Sequence, residues 1–118
     1  MRGFNLFGRI IMTINEYQKL AMTTLNKDLN NDQVLLNGVM GLCGESGEVI
    51  DIVKKHISQG HPLYKEKLIE ELGDVAWYLA ETAYALGVDL EEVLTKNINK
   101  LKERYPEGFS IEKSINRK

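Results

Sequence analysis

Apolar residues along this chain recur at the three-and-four spacing of helices, and no stretch shows the alternation of a strand. Ile14, Tyr17, Ala21 and Leu25 keep that spacing behind Thr13-x-x-Glu16, a capping box, and predict a first helix over about 14–26. Lys27 to Asp32 is polar and turn-like, with Asn31 placed to cap the second helix. That helix, predicted over about 32–58, is apolar nearly all round in its first half (Val34, Leu35, Leu36, Val39, Met40, Leu42), which predicts burial. Gln59-Gly60-His61-Pro62 breaks it. The third, about 63–86, carries the stripe Leu68, Leu72, Val75, Ala76, Leu79, Ala83, Leu86 and ends at Gly87. Asp89 with Glu92 caps a fourth helix, whose face is Leu90, Val93, Leu94, Ile98, Leu101 and Tyr105, and Pro106 stops it.

This pattern predicts an all-α, four-helix bundle-like domain, with the second and third helices forming a central antiparallel pair. At 118 residues the chain holds one domain. Met12-Thr13-Ile14-Asn15-Glu16 has the form of a natural beginning, so residues 1–11 are expected to be an N-terminal extension or a cloning remnant. The domain proper is expected over 12–110, with 111–118 a short, partly ordered tail.

Composition narrows the function classes. A hydrophobic fraction of 43% and a charged fraction of 27% are ordinary for a globular protein, which excludes wholesale disorder. A net charge of −2 offers no basic field for nucleic acid, and no partner of that kind is expected. The longest apolar run, Val75 to Val88, contains Glu81 and falls short of the ~20 residues of a membrane span. Cys43 stands alone among Val39, Met40 and Leu42, which fits a reducing cytoplasm and predicts a buried, inert thiol.

The chemistry lies in an echo. Glu45-Ser-Gly-Glu-Val49 and Glu71-Leu-Gly-Asp-Val75 share the pattern acid, any residue, glycine, acid, valine. Positions three apart share a helix face, so Glu45 neighbours Glu48 and Glu71 neighbours Asp74. With the two helices antiparallel and rising ~1.5 Å per residue, the pairs come level to within about a turn, and four carboxylates converge. Such a cluster either raises pKa values sharply or takes a cation. All-oxygen ligands favour a hard ion, Mg²⁺ with Mn²⁺ as substitute, and neither His56 nor His61 completes the Glu-x-x-His spacing of a di-iron bundle. An isolated E-x-x-E is usually a solvated face. Two of them, each holding a glycine in apolar surroundings, are less easily read that way. Gly38, Gly41, Gly44 and Gly47 each cost about 1 kcal/mol relative to alanine in a helix, which points to close helix approach or room for a ligand.

GLCGESGEVIDIVKK, EELGDVAWYL and NINKLKERYPEGFS together resemble the MazG-like all-α nucleoside triphosphate pyrophosphohydrolases over about residues 13–110. That family's signature, E-x-x-E, a spacer and E-x-x-D, is met here by Glu45, Glu48, 22 intervening residues, Glu71 and Asp74. The flanking GL-x-GE-x-GE and RYP-x-GF make the resemblance specific. It implies metal-dependent cleavage of (d)NTPs between the α- and β-phosphates to (d)NMP and pyrophosphate. The four acids would hold Mg²⁺, which neutralises the triphosphate and activates a water, with one unsaturated carboxylate as general base. It also implies phosphate binding by Lys54, Lys100 and Arg104, each alternatively a solvated basic helix end, as Lys55 is more simply read. Asn37, eight residues before Glu45, and Asn97, a turn before Lys100, are candidates for sugar or base contacts, and Gln18 a lesser one. Tyr78 is a candidate to stack on a base, whereas Trp77 reads as core.

Apolar residues beyond one stripe on the second and third helices predict a homodimer or dimer of dimers, as the family also implies, and a site shared between chains. Two other readings remain. Phosphoribosyl-ATP pyrophosphohydrolase shares the acid layout, though the flanks favour the MazG-like branch. A non-catalytic helical interaction module with a structural cation would not call for the nearby lysines and arginine.

Overall fold

The computed structural model describes residues 3–4 and 10–117. Among them, β1 (Gly3–Phe4) pairs antiparallel with β2 (Ile10–Ile11), matching Gly3 to Ile11 and Phe4 to Ile10. This two-residue ladder lies in the stretch expected to be an extension, and no alternation in the sequence announces it. Everything after it is helical: α1 (Ile14–Met22), α2 (Asn31–Ser58), α3 (Lys65–Ala85), α4 (Leu90–Arg104) and α5 (Ile111–Ile115). No helix among the described residues is long and apolar enough to cross a membrane.

Helix boundaries are set by where terminal backbone groups find partners. Thr13 accepts from the Glu16 amide at 3.1 Å and starts α1 as expected. The helix ends four residues early, because the hydroxyls of Thr23 and Thr24 donate to the carbonyls of Leu20 (2.6 Å) and Ala21 (2.7 Å). The cap of α2 is Asn30, not Asn31. Its side chain accepts from the Gln33 amide, and the Gln33 side chain accepts from the Asn30 amide, both at 2.9 Å, closing a capping box. Between α2 and α3 the chain reverses through Gly60 at φ +71°, with His56 Nδ1 donating to the His61 carbonyl at 2.8 Å.

The Asp89 side chain makes no cap for α4. Helix α1 supplies it instead. The Leu90 amide donates to Gln18 Oε1 at 2.8 Å, and the Glu91 amide to Asn15 Oδ1 at 3.2 Å. Gln18 is buried and also donates to the carbonyls of Ala80 and Val88. Its amide is therefore used up inside the fold, which removes it as a base contact. Around it lies the core: Ala21, Ala80 and Leu90, flanked by Tyr17, Met22, Trp77, Leu79 and Val93. Trp77 belongs to the core, with Nε1 donating to the Ala21 carbonyl (3.0 Å) and Thr24 Oγ1 (2.9 Å). Within the expected tail lies the short helix α5, capped by Ser110.

Helices α2 and α3 run antiparallel in close contact, and two glycines set the approach. A Cβ at Gly38 would lie 2.5 Å from Thr82 Oγ1 and 3.2 Å from its backbone nitrogen, and one at Gly41 would enter the Tyr78 ring. Gly44 and Gly47 face open space instead. The two pairs should answer alanine with opposite signs. Gly38→Ala is expected to lower stability by about 1–3 kcal/mol through overpacking. Gly44→Ala should raise it by roughly 0.5–1 kcal/mol through helix propensity alone. Urea denaturation of both variants checks this, and equal signs would refute the assignment.

Burial departs from the sequence expectation. Of α2 only Val34 and Gly38 are buried, whereas Leu36, Val39, Met40 (64% exposed), Ile50 and Ile57 (75%) are exposed. Cys43 is exposed as well, correcting the buried thiol. Apolar residues all round a helix imply that its surface is covered, but not by which chain. Among the described residues, these side chains of α2 stay uncovered.

Candidate metal centre

Level with Gly44 and Gly47, the antiparallel pair brings acids from both helices together. Glu45 on α2 and Glu71 and Asp74 on α3 each offer an oxygen within 4.8 Å of the others. Glu71 is buried at 8% exposure, Glu45 is half-buried and Asp74 is exposed, so the cluster is open on one side. Glu48 stands outside this triangle. Its charge still reaches Glu45, but the expected convergence of four carboxylates is a convergence of three. Side chains nearly a full turn apart on one helix need not both meet the same point on a partner.

Crowding shows in the protonation of Glu45. Its pKa is pushed up to about 6, first because the protonated carboxyl can donate to Glu71, then through partial burial and the charges of Glu71, Asp74 and Glu48. Lys67 approaches Glu71 at 3.5 Å but is itself well exposed, so its compensation is screened. Tyr17 on α1, outside the sequence candidates, faces the site too. Burial and then the Asp74 charge push its pKa up.

The donor set fits a hard divalent ion. It is all oxygen, three anionic groups lie within reach of one centre, and one screened lysine does not balance them. These acids could hold a metal. A raised carboxyl pKa weakens the fold wherever the group must be ionised, so the sign is fixed. Without metal, Glu45→Gln should be more stable than the parent at neutral pH, and the advantage should vanish as pH falls from about 6 to 4.5. Thermal unfolding in EDTA across that range checks it. Mg²⁺ at neutral pH should then raise the parent's Tm more than the variant's.

The other candidates scatter. Asn37 donates through Nδ2 to both carboxylate oxygens of Glu81, at 3.0 and 2.9 Å. Tyr78 lies half-buried over Gly41, edge-on to Trp77. Lys54 and Lys55 approach Asp51 at 3.8 and 2.8 Å, and Lys55 then Lys54 hold the Asp51 carboxyl below its usual range. Asn97 is exposed on α4. Lys100 and Arg104 line a cleft of about 480 Å³ between α4 and α5 with Glu103, Lys113 and Arg117, and none of the four acids lines it. Lys100 and Arg104 thus line a cleft apart from the carboxylates.

Glu81 is a buried acid that the motif spacing misses, although a signal is present. It is seven residues past Asp74, two turns along the same face, and it interrupts the longest apolar run. It is also the largest fully buried side chain among the described residues.

Comparison with known proteins decides the family. The family model described as the MazG nucleotide pyrophosphohydrolase domain matches residues 34–109. The chain belongs to the MazG family. The matched span contains Glu45, Glu48, Glu71 and Asp74 as well as Asn37, Tyr78 and Glu81, and leaves α1 outside. Gene 37 protein of Mycobacterium phage L5 is 41% identical over 73 residues, covering 58% of this chain and 64% of that protein. The chain thus spans somewhat less than two thirds of that relative. No solved structure matches this chain. Beyond the β1–β2 ladder, its described elements are all helices, as the family resemblance implied.

Proposed function

We propose that this MazG chain is a metal-dependent nucleoside triphosphate pyrophosphohydrolase, cleaving (d)NTPs between the α- and β-phosphates to give the monophosphate and pyrophosphate. One observation carries the reading: three carboxylates from two antiparallel helices meet within 4.8 Å, open to solvent, in a chain of this family. Glu45, Glu71 and Asp74 hold Mg²⁺, with Mn²⁺ a substitute. When bound, the cation supplies neutralising charge for the triphosphate and makes water acidic enough to attack. Glu48 is the acid left outside the triangle, and we assign it to accept the proton of the attacking water. Gly44 and Gly47, with open space where a side chain would stand, leave the nucleotide room beside the acids.

The exposed apolar surface of α2 and α3 supports a homodimer or dimer of dimers. In such an assembly Asn97, Lys100 and Arg104 of a second copy can face the carboxylates and bind phosphate, which they do not do within one chain. Lys54 is the cation on α2 itself, and we assign it to the outer phosphates, a role that requires it to leave Asp51. The single cysteine favours a reducing compartment, the cytoplasm.

Incubating the protein with a panel of NTPs and dNTPs plus Mg²⁺, and assaying pyrophosphate and orthophosphate separately, tests the reaction. Pyrophosphate with an equimolar monophosphate is expected for at least one of them, and none in EDTA. Orthophosphate alone would place the cleavage at another bond. Light scattering at micromolar concentration tests the assembly, and a monomer mass would remove the shared site.

A further inference from the structure

Burying a carboxyl group whole is expensive, and a side chain of that volume needed only for packing would be apolar. Glu81 is fully buried (0% exposed). The partner it has there is the amide of Asn37, which donates through Nδ2 to both its oxygens. Asn37 itself is exposed. The carboxylate thus occupies the donor side of the amide and prevents its rotation, since turning Oδ1 inward would set acceptor against acceptor. What the pair presents outward is Oδ1, which has no partner among the described residues.

The position of this acceptor matters. Along α2 the face running from Glu45 passes Gly41 and reaches Asn37, eight residues or about 12 Å away. Along α3 the matching face runs from Asp74 past Tyr78 to Glu81. The strip between the metal-competent triangle and the amide is floored by Gly41 with the half-buried Tyr78 ring upon it. A nucleotide whose phosphates met the triangle would lay its base along this strip toward the amide.

We infer that the Glu81–Asn37 pair is the base-reading end of the site, and that its fixed outward acceptor selects nucleotides whose base carries an exocyclic amino group. This rests on the pyrophosphohydrolase reading. The amino groups of cytosine and adenine donate where Oδ1 accepts. Uracil O4 and hypoxanthine O6 stand at the same positions and bring lone pairs against lone pairs. Asn37 touches the base. Glu81 is a positioning residue that acts through the orientation of that amide, and a mismatched base leaves an unpaired polar group, which is how discrimination arises.

Two substrate pairs that exchange the amino group for an oxo group, and with it add a proton to the adjacent ring nitrogen, provide the test: dCTP against dUTP, and dATP against dITP. The ratio of kcat/KM within each pair is measured with Mg²⁺. The amino member is expected to be favoured about tenfold, the worth of one hydrogen bond of ordinary strength, in the pair whose ring size the site admits. Preference in the first pair assigns a pyrimidine, and in the second a purine. Asn37→Ala should bring the ratio near one. Glu81→Gln, close in shape, should lower it severalfold by letting the amide rotate, while hydrolysis of the oxo member persists. A purely structural pair would instead lower Tm and depress both members alike, leaving ratios intact, and that result overturns the inference. Hydrolysis with ratios near one in both pairs overturns it while the pyrophosphohydrolase reading stands. If no nucleotide is hydrolysed, that reading fails, and calorimetric binding of dCMP against dUMP and dAMP against dIMP decides this one. Equal binding, or none, ends it.

Discussion

Glu71→Ala is expected to reduce pyrophosphate release by at least about 10³-fold, the range in which loss of a metal-held acid or base falls. The choice of residue rests on geometry. Glu71 is the buried member of the triangle, it accepts from Glu45 when that group is protonated, and it lies on the helix that also carries Asp74. An exposed carboxylate such as Asp74 can be replaced by water with less loss of preorganisation. Glu71 cannot, because the protein walls it in. The companion Glu71→Gln separates chemistry from folding. It keeps the volume and removes one of the crowded charges, so without metal its stability should equal or exceed that of the parent, while Mg²⁺ no longer raises its Tm. Kinetics with Mg²⁺ and thermal unfolding with and without it check both halves. Full activity in either variant would remove the triangle from the reaction.

The second large effect is on stability and involves none of the acids. Gln18→Leu is expected to cost roughly 3 kcal/mol, because three hydrogen bonds to backbone groups of α3, the α3–α4 turn and α4 are lost together. Leucine preserves most of the packing, so the loss reports the polar bonds. The Leu90 amide would then be a helix-start donor with no partner, at a buried residue. Chemical denaturation measures the change. Activity per folded molecule should stay near that of the parent, since Gln18 has no atom left for a nucleotide. A change in substrate preference in this variant would restore it as a base contact.

Glu71 and Gln18 differ in how legible they are in the sequence. Glu71 is legible because its partner Asp74 and the echo at Glu45 and Glu48 are local spacings, and helix periodicity converts spacing into a shared face. Gln18 reads as a substrate candidate, since a polar residue on an apolar helix gives no sign of whether it faces a ligand or a backbone terminus 72 residues away. The caps behave alike. Thr13 is legible because its partner is three residues on, whereas the cap of α4 comes from α1 and no local motif announces it. Taking Asn31 for Asn30 is a local error of one residue, where two adjacent asparagines are equally suited.

The sequence alone determined the first four helices, the antiparallel central pair and the family, because apolar period, breakers and motif are written in neighbouring residues, but not α5. The tertiary structure alone decided that three acids and not four meet, that Gly38 and Gly41 serve helix approach while Gly44 and Gly47 leave space, and that Asn37 is held by Glu81. Each of these depends on the axial register of α2 against α3. A shift of one residue there moves every facing side chain by ~1.5 Å along the axis and about 100° around it, and no spacing within either helix records that shift.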